Sequence, residues 1–260
     1  MKLITNLGGA DSPARTRAPE RGTFRVGAVQ TAWHRDAGEH RATLTAGVEL
    51  AARAGAQLVC LQELTLSPYF AIVPDGAEAL GVAAEPLPGG PTHAFAAELA
   101  ARFGLVVHAS LFEAAGEAEH PSVGAVPAGG GGFNTAIAVG PDGELLARTR
   151  KLHIPVTAGY YEDRYFAPGD TGYPVVDVGP ARIGLPTCWD QWFPEPPRAY
   201  SLAGADLLVY PTAIGSEPDH PGFDTRPLWQ QVIVGNGIAN GLTMVAVNRI
   251  GTERAADLAA

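Results

Sequence analysis

RIGLPTCWDQWFPE, residues 182–195, is the stretch on which the fold turns. Its first part, RIGLPTC, is a short apolar run that reads as a buried strand. Cys188 closes that run. The cluster Trp189-Asp190-Gln191-Trp192 comes next, and a plain core strand does not usually end in such a polar and aromatic group. A short helix is expected near residues 194–202, and ADLLVYPTA (205–213) reads as the next buried strand.

The same alternation extends in both directions. Upstream, FRVGAVQTA (24–32) is an expected strand, followed by a helix over about 41–54 with Leu44, Val48, Ala51 and Ala52 on one face. Gly55 stands where a helix C-cap belongs, and LVCLQEL (58–64) is a second strand. A helix after Pro91 precedes the strand LVVHASLFE (105–113). FNTAIAVG and ELLARTRK flank Pro141-Asp142-Gly143, a turn signal that predicts a hairpin. Downstream lie a helix over about 227–240 and a last strand, LTMVAVNRI (242–250). Strands rich in Val, Leu and Ile alternating with helices predict an α/β domain with doubly buried sheets. Residues 1–22 read as a loose tail, 23–260 as one domain, and 114–132 as a surface insertion. The long Pro- and Gly-punctuated segment 152–174 reads as a functional loop.

Bulk properties narrow the function. The 260 residues carry a net charge of −9 without any Lys/Arg cluster. Nucleic acid and anionic membrane are therefore poor partners, since both demand a basic footprint. Cys60 and Cys188 are the only cysteines, which fits free thiols in a reducing compartment. No stretch approaches the ~20 apolar residues of a membrane span, and the first residues do not read as a signal peptide. A soluble, cytoplasmic protein is expected.

Ligands of open α/β sheets bind outside the carboxyl ends of the strands. Glu63 ends LVCLQE, Lys151 ends LLARTRK and Cys188 ends RIGLPTC. A thiolate can act as nucleophile, a carboxylate can take and return its proton, and a lysine can stabilise an oxyanion. Each residue also has a bland reading: Cys188 as a small buried hydrophobe, Glu63 as a strand-end surface group, Lys151 as half of an exposed ion pair, Glu162 as a solvated loop carboxylate. It is their coincidence that favours catalysis. Cys60, mid-strand between Val59 and Leu61, is read as structural. The seven histidines lack zinc-ligand spacing, so a metal is not expected.

Several long motifs together strongly resemble the nitrilase superfamily, the carbon–nitrogen hydrolases. They are LQELTLSPYF (61–70), RKLHIPVTAGYYEDRYFAPGDTGYPV (150–175), LPTCWDQWFPE (185–195) and VYPTAIGSEP (209–218). Within it, CWDQWFPE and YPTAIGSEP are most similar to the N-carbamoylputrescine amidase branch, with β-ureidopropionase a near relative. The resemblance implies a four-layer αββα sandwich. It also implies Glu63 as general base, Lys151 as oxyanion stabiliser, Cys188 as nucleophile and Glu162 as an assisting carboxylate. The substrate would be a small N-carbamoyl amine or linear amide, cleaved through an acyl-enzyme without a cofactor. Trp189, Asp190, Tyr69 and Glu217 are the candidate substrate-binding residues; Asp190, Glu195 and Glu217 are the carboxylates that could grip a cationic amine.

The likeness runs from about residue 24 to 253 and implies a homodimer or larger homo-oligomer. Three departures stand out, one of them the 114–132 insertion, which could reshape the pocket entrance. PVTAGYYED (155–163) replaces the branch's usual PDGPGYQE. Arg254–Ala260 stands where the family has an aromatic-Gly-Ser-Ser strand and a closing extension. The sandwich is thus expected to lack that closing segment, and a truncated, catalytically silent subunit is the alternative reading.

Overall fold

The computed structural model describes residues 1–6, 20–116 and 131–254. The expectations for the tail, for the 114–132 insertion and for 254–260 lie largely outside the described residues.

Among the described residues, nine strands form two sheets. The first has the order β1 (Val26–Ala28), β2 (Leu58–Cys60), β3 (Val106–Ala114), β4 (Gly132–Val139), β5 (Leu145–Arg150). β1, β2 and β3 are parallel, while β4 is antiparallel to both β3 and β5. β5 therefore points the same way as β2, and their carboxyl ends share one edge. Between β5 and the second sheet, the two-residue strands β6 (Val156–Thr157) and β7 (Tyr160–Tyr161) pair with each other. The second sheet joins β8 (Val175–Val178), β9 (Ala181–Gly184), β10 (Leu207–Thr212) and β11 (Thr243–Asn248), with β9, β10 and β11 parallel. Five α-helices accompany them among the described residues: α1 (Ala37–Arg53), α2 (Gly76–Ala79), α3 (Pro91–Phe103), α4 (Glu195–Leu202) and α5 (Arg226–Asn240).

Period-two alternation sorts the side chains into layers. Leu58 and Cys60 of β2 face Ile183, Leu207 and Val209 of the second sheet. Val59, between them, turns outward to Leu44 and Val48 of α1 and Leu99 of α3. In β10, Leu208 and Tyr210 turn outward to Tyr200 of α4. The result is helix, sheet, sheet, helix, the αββα sandwich the motifs implied. Each such side chain, fully buried, contributes about 1.5–3 kcal/mol of transfer free energy.

Local signals place the elements. Asp36 caps α1 by accepting the Glu39 N–H at 2.7 Å, so the helix starts a turn earlier than the apolar pattern suggested. Gly143, at φ 83°, closes the β4–β5 turn in a backbone conformation that favours glycine. Gly184 serves by its size: a Cβ there would run into the Tyr200 ring and Leu208.

Three expectations need correction. The strand predicted over 24–32 pairs only at Val26–Ala28 and is an edge strand, partly exposed. β2 stops at Cys60 and β9 at Gly184, so Glu63 and Cys188 lie in loops beyond their strands. Double burial holds for the inner strands β3, β4 and β10 but not for β5, β8 or β11, which have fewer neighbours to cover them.

Candidate active site

Each of the three strand-end groups reaches the same place by a different local device. Past β2, the Leu61 N–H still pairs with the His108 carbonyl. Leu64 then takes φ 48°, a left-handed conformation costing a branched residue roughly 1–3 kcal/mol. Its N–H donates to Ser110 Oγ, and the Thr65 N–H to the Ser110 carbonyl. This turn leaves the Glu63 side chain fully buried between the sheets' carboxyl edges. Lys151 follows β5 directly, its N–H still bonded to the Asn134 carbonyl. Cys188 opens a 3₁₀ turn, Cys188–Trp192, and Thr187 before it donates both its N–H and its hydroxyl to Asp190 Oδ2.

Lys151 Nζ donates to Glu63 Oε1 at 2.9 Å and to the two oxygens of Glu162 at 2.8 and 2.7 Å. Asn134 Nδ2 donates to the same Glu63 oxygen at 2.8 Å. Glu63 Oε2 accepts nothing among the described residues. Burial opposes the Lys151 charge, but Glu162 and Glu63 outweigh it and hold the ammonium above its ordinary value. Burial likewise raises Glu162, with Lys151 pulling the other way and Glu63 adding to the rise. The Cys188 thiol is pushed well up, by burial first and then by Glu63, against the pull of Lys151 and of a hydrogen bond from the Ala213 backbone. The buried thiol thus lies within the electrostatic reach of the Glu63 carboxylate and the Lys151 ammonium, and Glu63 Oε2 keeps an open acceptor position among the described residues. Such a set can move a proton from sulfur to carboxylate as the sulfur attacks, which spares the site a free buried thiolate.

Cys188 and Glu162 border a cavity of about 390 Å³, within the size range of small-molecule sites. Its walls are apolar and aromatic: Tyr69, Tyr160, Trp189, Trp192, Ile214 and Leu228. Tyr69, Trp189 and Glu217 border the cavity. Glu217 accepts the Thr225 hydroxyl on Oε1 at 2.9 Å, and no Arg, Lys or His is among the described residues lining the space.

Asp190 departs from its expected place. It is fully buried behind the cysteine turn and does not line the cavity. Oδ2 holds Thr187, while Oδ1 accepts the His153 N–H at 3.0 Å and lies 2.8 Å from His153 Nδ1, whose ring stacks on Phe193. With both oxygens committed, it has nothing to offer a substrate amine. Glu195 sits exposed at the start of α4, outside the cavity. Asn134 was missed by the sequence reading. The signal was available, as a lone amide inside the apolar run FNTAIAV, which a buried strand tolerates only when it is hydrogen-bonded. Cys60 is a buried free thiol in β2, as read.

The carbon-nitrogen hydrolase family model matches residues 25–258. The chain belongs to the carbon–nitrogen hydrolase family. The N-carbamoylputrescine amidase of Solanum lycopersicum is 42% identical over 228 residues, 88% of this chain and 71% of that one. The citrullinase of Francisella tularensis is 36% identical over 237 residues, 91% of this chain and 78% of its own. Among solved structures, the carbon–nitrogen hydrolase from Helicobacter pylori superposes with a TM-score of 0.73 at 33% identity, covering 88% of this chain and 75% of that one. A double mutant of the Nesterenkonia sp. AN1 amidase in complex with acrylamide gives 0.68 at 25% identity, covering 91% and 80%. This carbon–nitrogen hydrolase is accordingly a hydrolase acting on amides. Among its described residues no group of three His, Cys, Asp or Glu side chains could hold a metal ion, and no helix is long and apolar enough to cross a membrane.

Proposed function

We propose that this hydrolase cleaves an N-carbamoyl amine whose far end carries a positive charge, with N-carbamoylputrescine as the model substrate. One observation carries the reading. Among the described residues lining this largely apolar and aromatic cavity, Glu162 and Glu217 are the carboxylates; Lys151 engages the first, and the Thr225 hydroxyl steadies the second. An aromatic-walled cavity with a carboxylate in its lining suits an apolar spacer ending in an ammonium. With no basic side chain among the described residues of the lining, a substrate ending in a carboxylate, such as N-carbamoyl-β-alanine, finds no counter-charge among them. The β-ureidopropionase-like alternative is disfavoured on that ground.

In the proposed mechanism Glu63 Oε2 takes the Cys188 proton as the sulfur attacks the carbamoyl carbon. Negative charge moves to the carbonyl oxygen, which Lys151 Nζ and the Trp189 N–H stabilise. Collapse expels ammonia, protonated by Glu63, and leaves a thiocarbamoyl-enzyme. Water gives a proton to Glu63 and attacks; the C–S bond breaks and the sulfur recovers its proton. The released carbamate decays to amine and carbon dioxide. Glu162 fixes Lys151 throughout. The same proposal includes a cytoplasmic location, suited to the two free thiols, and a homo-oligomer, since Leu202, Val234 and Ile238 are large apolar groups left exposed on α4 and α5. Sedimentation of the purified chain as a monomer would refute the latter.

The deciding assay measures ammonia release from N-carbamoylputrescine and N-carbamoyl-β-alanine by wild type, Cys188→Ala and Glu217→Gln. Wild type should prefer the cationic substrate, and Glu217→Gln should lose about 10- to 100-fold in kcat/KM on it, the worth of a charged hydrogen bond. Cys188→Ala should release none. Equal rates on both substrates, unaffected at Glu217, would sink the specificity reading.

A further inference from the structure

Beyond β11 the chain makes a contact that the proposed chemistry does not use. Arg249, buried at 8% exposure, directs Nη2 at three backbone carbonyls of one turn: Glu63 at 2.7 Å, Leu64 at 3.1 Å and Ser67 at 3.1 Å. Its Nη1 donates to both oxygens of Glu253, at 2.7 and 3.0 Å. Glu253 Oε2 in turn accepts the Tyr69 N–H at 2.8 Å. At the other end of Tyr69, the hydroxyl donates to Glu162 Oε1. One ion pair thus grips the loop of Glu63 by its carbonyls and the residue that steadies Glu162 by its amide. These two carboxylates flank Lys151.

We infer that Arg249 and Glu253 are positioning residues for the reaction, clasping residues 63–69 so that Glu63 and Tyr69 keep their aim on the reacting groups. The loop needs such a clasp. Leu64 holds a left-handed backbone that a branched residue avoids, and its carbonyl, which accepts the Ser67 N–H, takes Arg249 as a second donor. A planar guanidinium serves the turn and the Glu253 carboxylate at once because its donors fan out in a fixed fork; an ammonium cannot span both. The preceding residue extends the effect to the nucleophile's side. Asn248 Oδ1 accepts the Ile214 N–H and the Thr212 hydroxyl, and its Nδ2 donates to the Ile214 carbonyl. This fixes the loop whose Ala213 backbone bonds the thiol. Asn248 and Arg249 therefore anchor both walls of the site from one strand end.

The inference rests on Glu63 and Glu162 acting around Cys188, and the test separates the two ideas. Arg249→Lys and Glu253→Ala are compared with wild type and Cys188→Ala in three measurements: thermal unfolding, kcat and KM on N-carbamoylputrescine, and the pH profile of Cys188 alkylation by iodoacetamide followed on its peptide. The expected result is a folded protein whose kcat falls about 10- to 100-fold, as for a misplacement of roughly 1 Å, with KM changed less than about threefold. Cys188 alkylation should slow and its midpoint shift. If folded Arg249→Lys and Glu253→Ala keep wild-type kcat and alkylation profiles, the clasp is only structural and the inference falls. Should Arg249→Lys not fold, Glu253→Ala, at a side chain 13% exposed, decides alone. If wild type releases no more ammonia than Cys188→Ala, the functional proposal fails, and the alkylation profiles still judge the clasp.

Discussion

The Tyr69 hydroxyl donates to Glu162 Oε1 at 2.7 Å, joining the wall of the substrate cavity to the carboxylate that holds Lys151. Burial raises Glu162, and this donor is one of the contacts that pull it back down. Removing the donor should raise it further. In Tyr69→Phe the acidic limb of kcat/KM should therefore move to higher pH, with a loss of about tenfold near neutrality for one charged hydrogen bond. A pH–rate series on both proteins tests this; a limb that stays in place or moves down contradicts it.

Asp190 and Glu217 are both carboxylates near Cys188, but only Glu217 lines the cavity. Asp190 takes four donors, from Thr187 and His153, and so ties the cysteine turn to the segment that follows Lys151. Asp190→Asn should lower kcat by about 10- to 100-fold through misplacement, with the ratio of rates on cationic and anionic substrates unchanged. Glu217→Gln should alter that ratio. A substrate-dependent loss in Asp190→Asn would restore its candidacy as a binding residue.

His108, in β3, is buried and neither ring nitrogen hydrogen-bonds among the described residues. Burial lowers it from 6.5 to about 3. The unfolded chain then binds a proton that the folded chain refuses. Its contribution to stability is complete above pH 6.5 and is lost as pH falls toward 3, at up to about 1.4 kcal/mol per pH unit. Denaturant titrations between pH 7 and about 5, above most of the carboxylate range, should show this slope in wild type. His108→Gln should reduce it, with burial of His40 supplying part of what remains; an unchanged slope would assign the proton elsewhere.

Much of the architecture was legible because it is local. Apolar runs of strand length, the Pro141-Asp142-Gly143 turn and the Pro91 helix start all act within a few residues, and all appear in place. Strand ends were less legible, because pairing depends on neighbours that a single stretch does not contain. Glu63 and Cys188 stand in loops past β2 and β9 for that reason. Asn134 was readable as a polar intruder in a buried strand, although its bond to Glu63 was not.

The sequence by itself determined the alternating α/β order, the family resemblance of its motifs and the kinds of group available: one thiol in an odd polar setting, one lysine and one glutamate after apolar runs. Only the tertiary structure decided which of them meet. Lys151 bonds Glu63 across 88 residues, Tyr69 bonds Glu162 across 93, and Arg249 bonds the Glu63 carbonyl across 186. It also turned Asp190 inward and left Glu217 on the cavity wall, though both looked alike as loop carboxylates. The physical reason is one of range. Hydrophobic periodicity and turn chemistry act between near neighbours in the chain, whereas burial and charge pairing depend on distances that exist only once two sheets have packed.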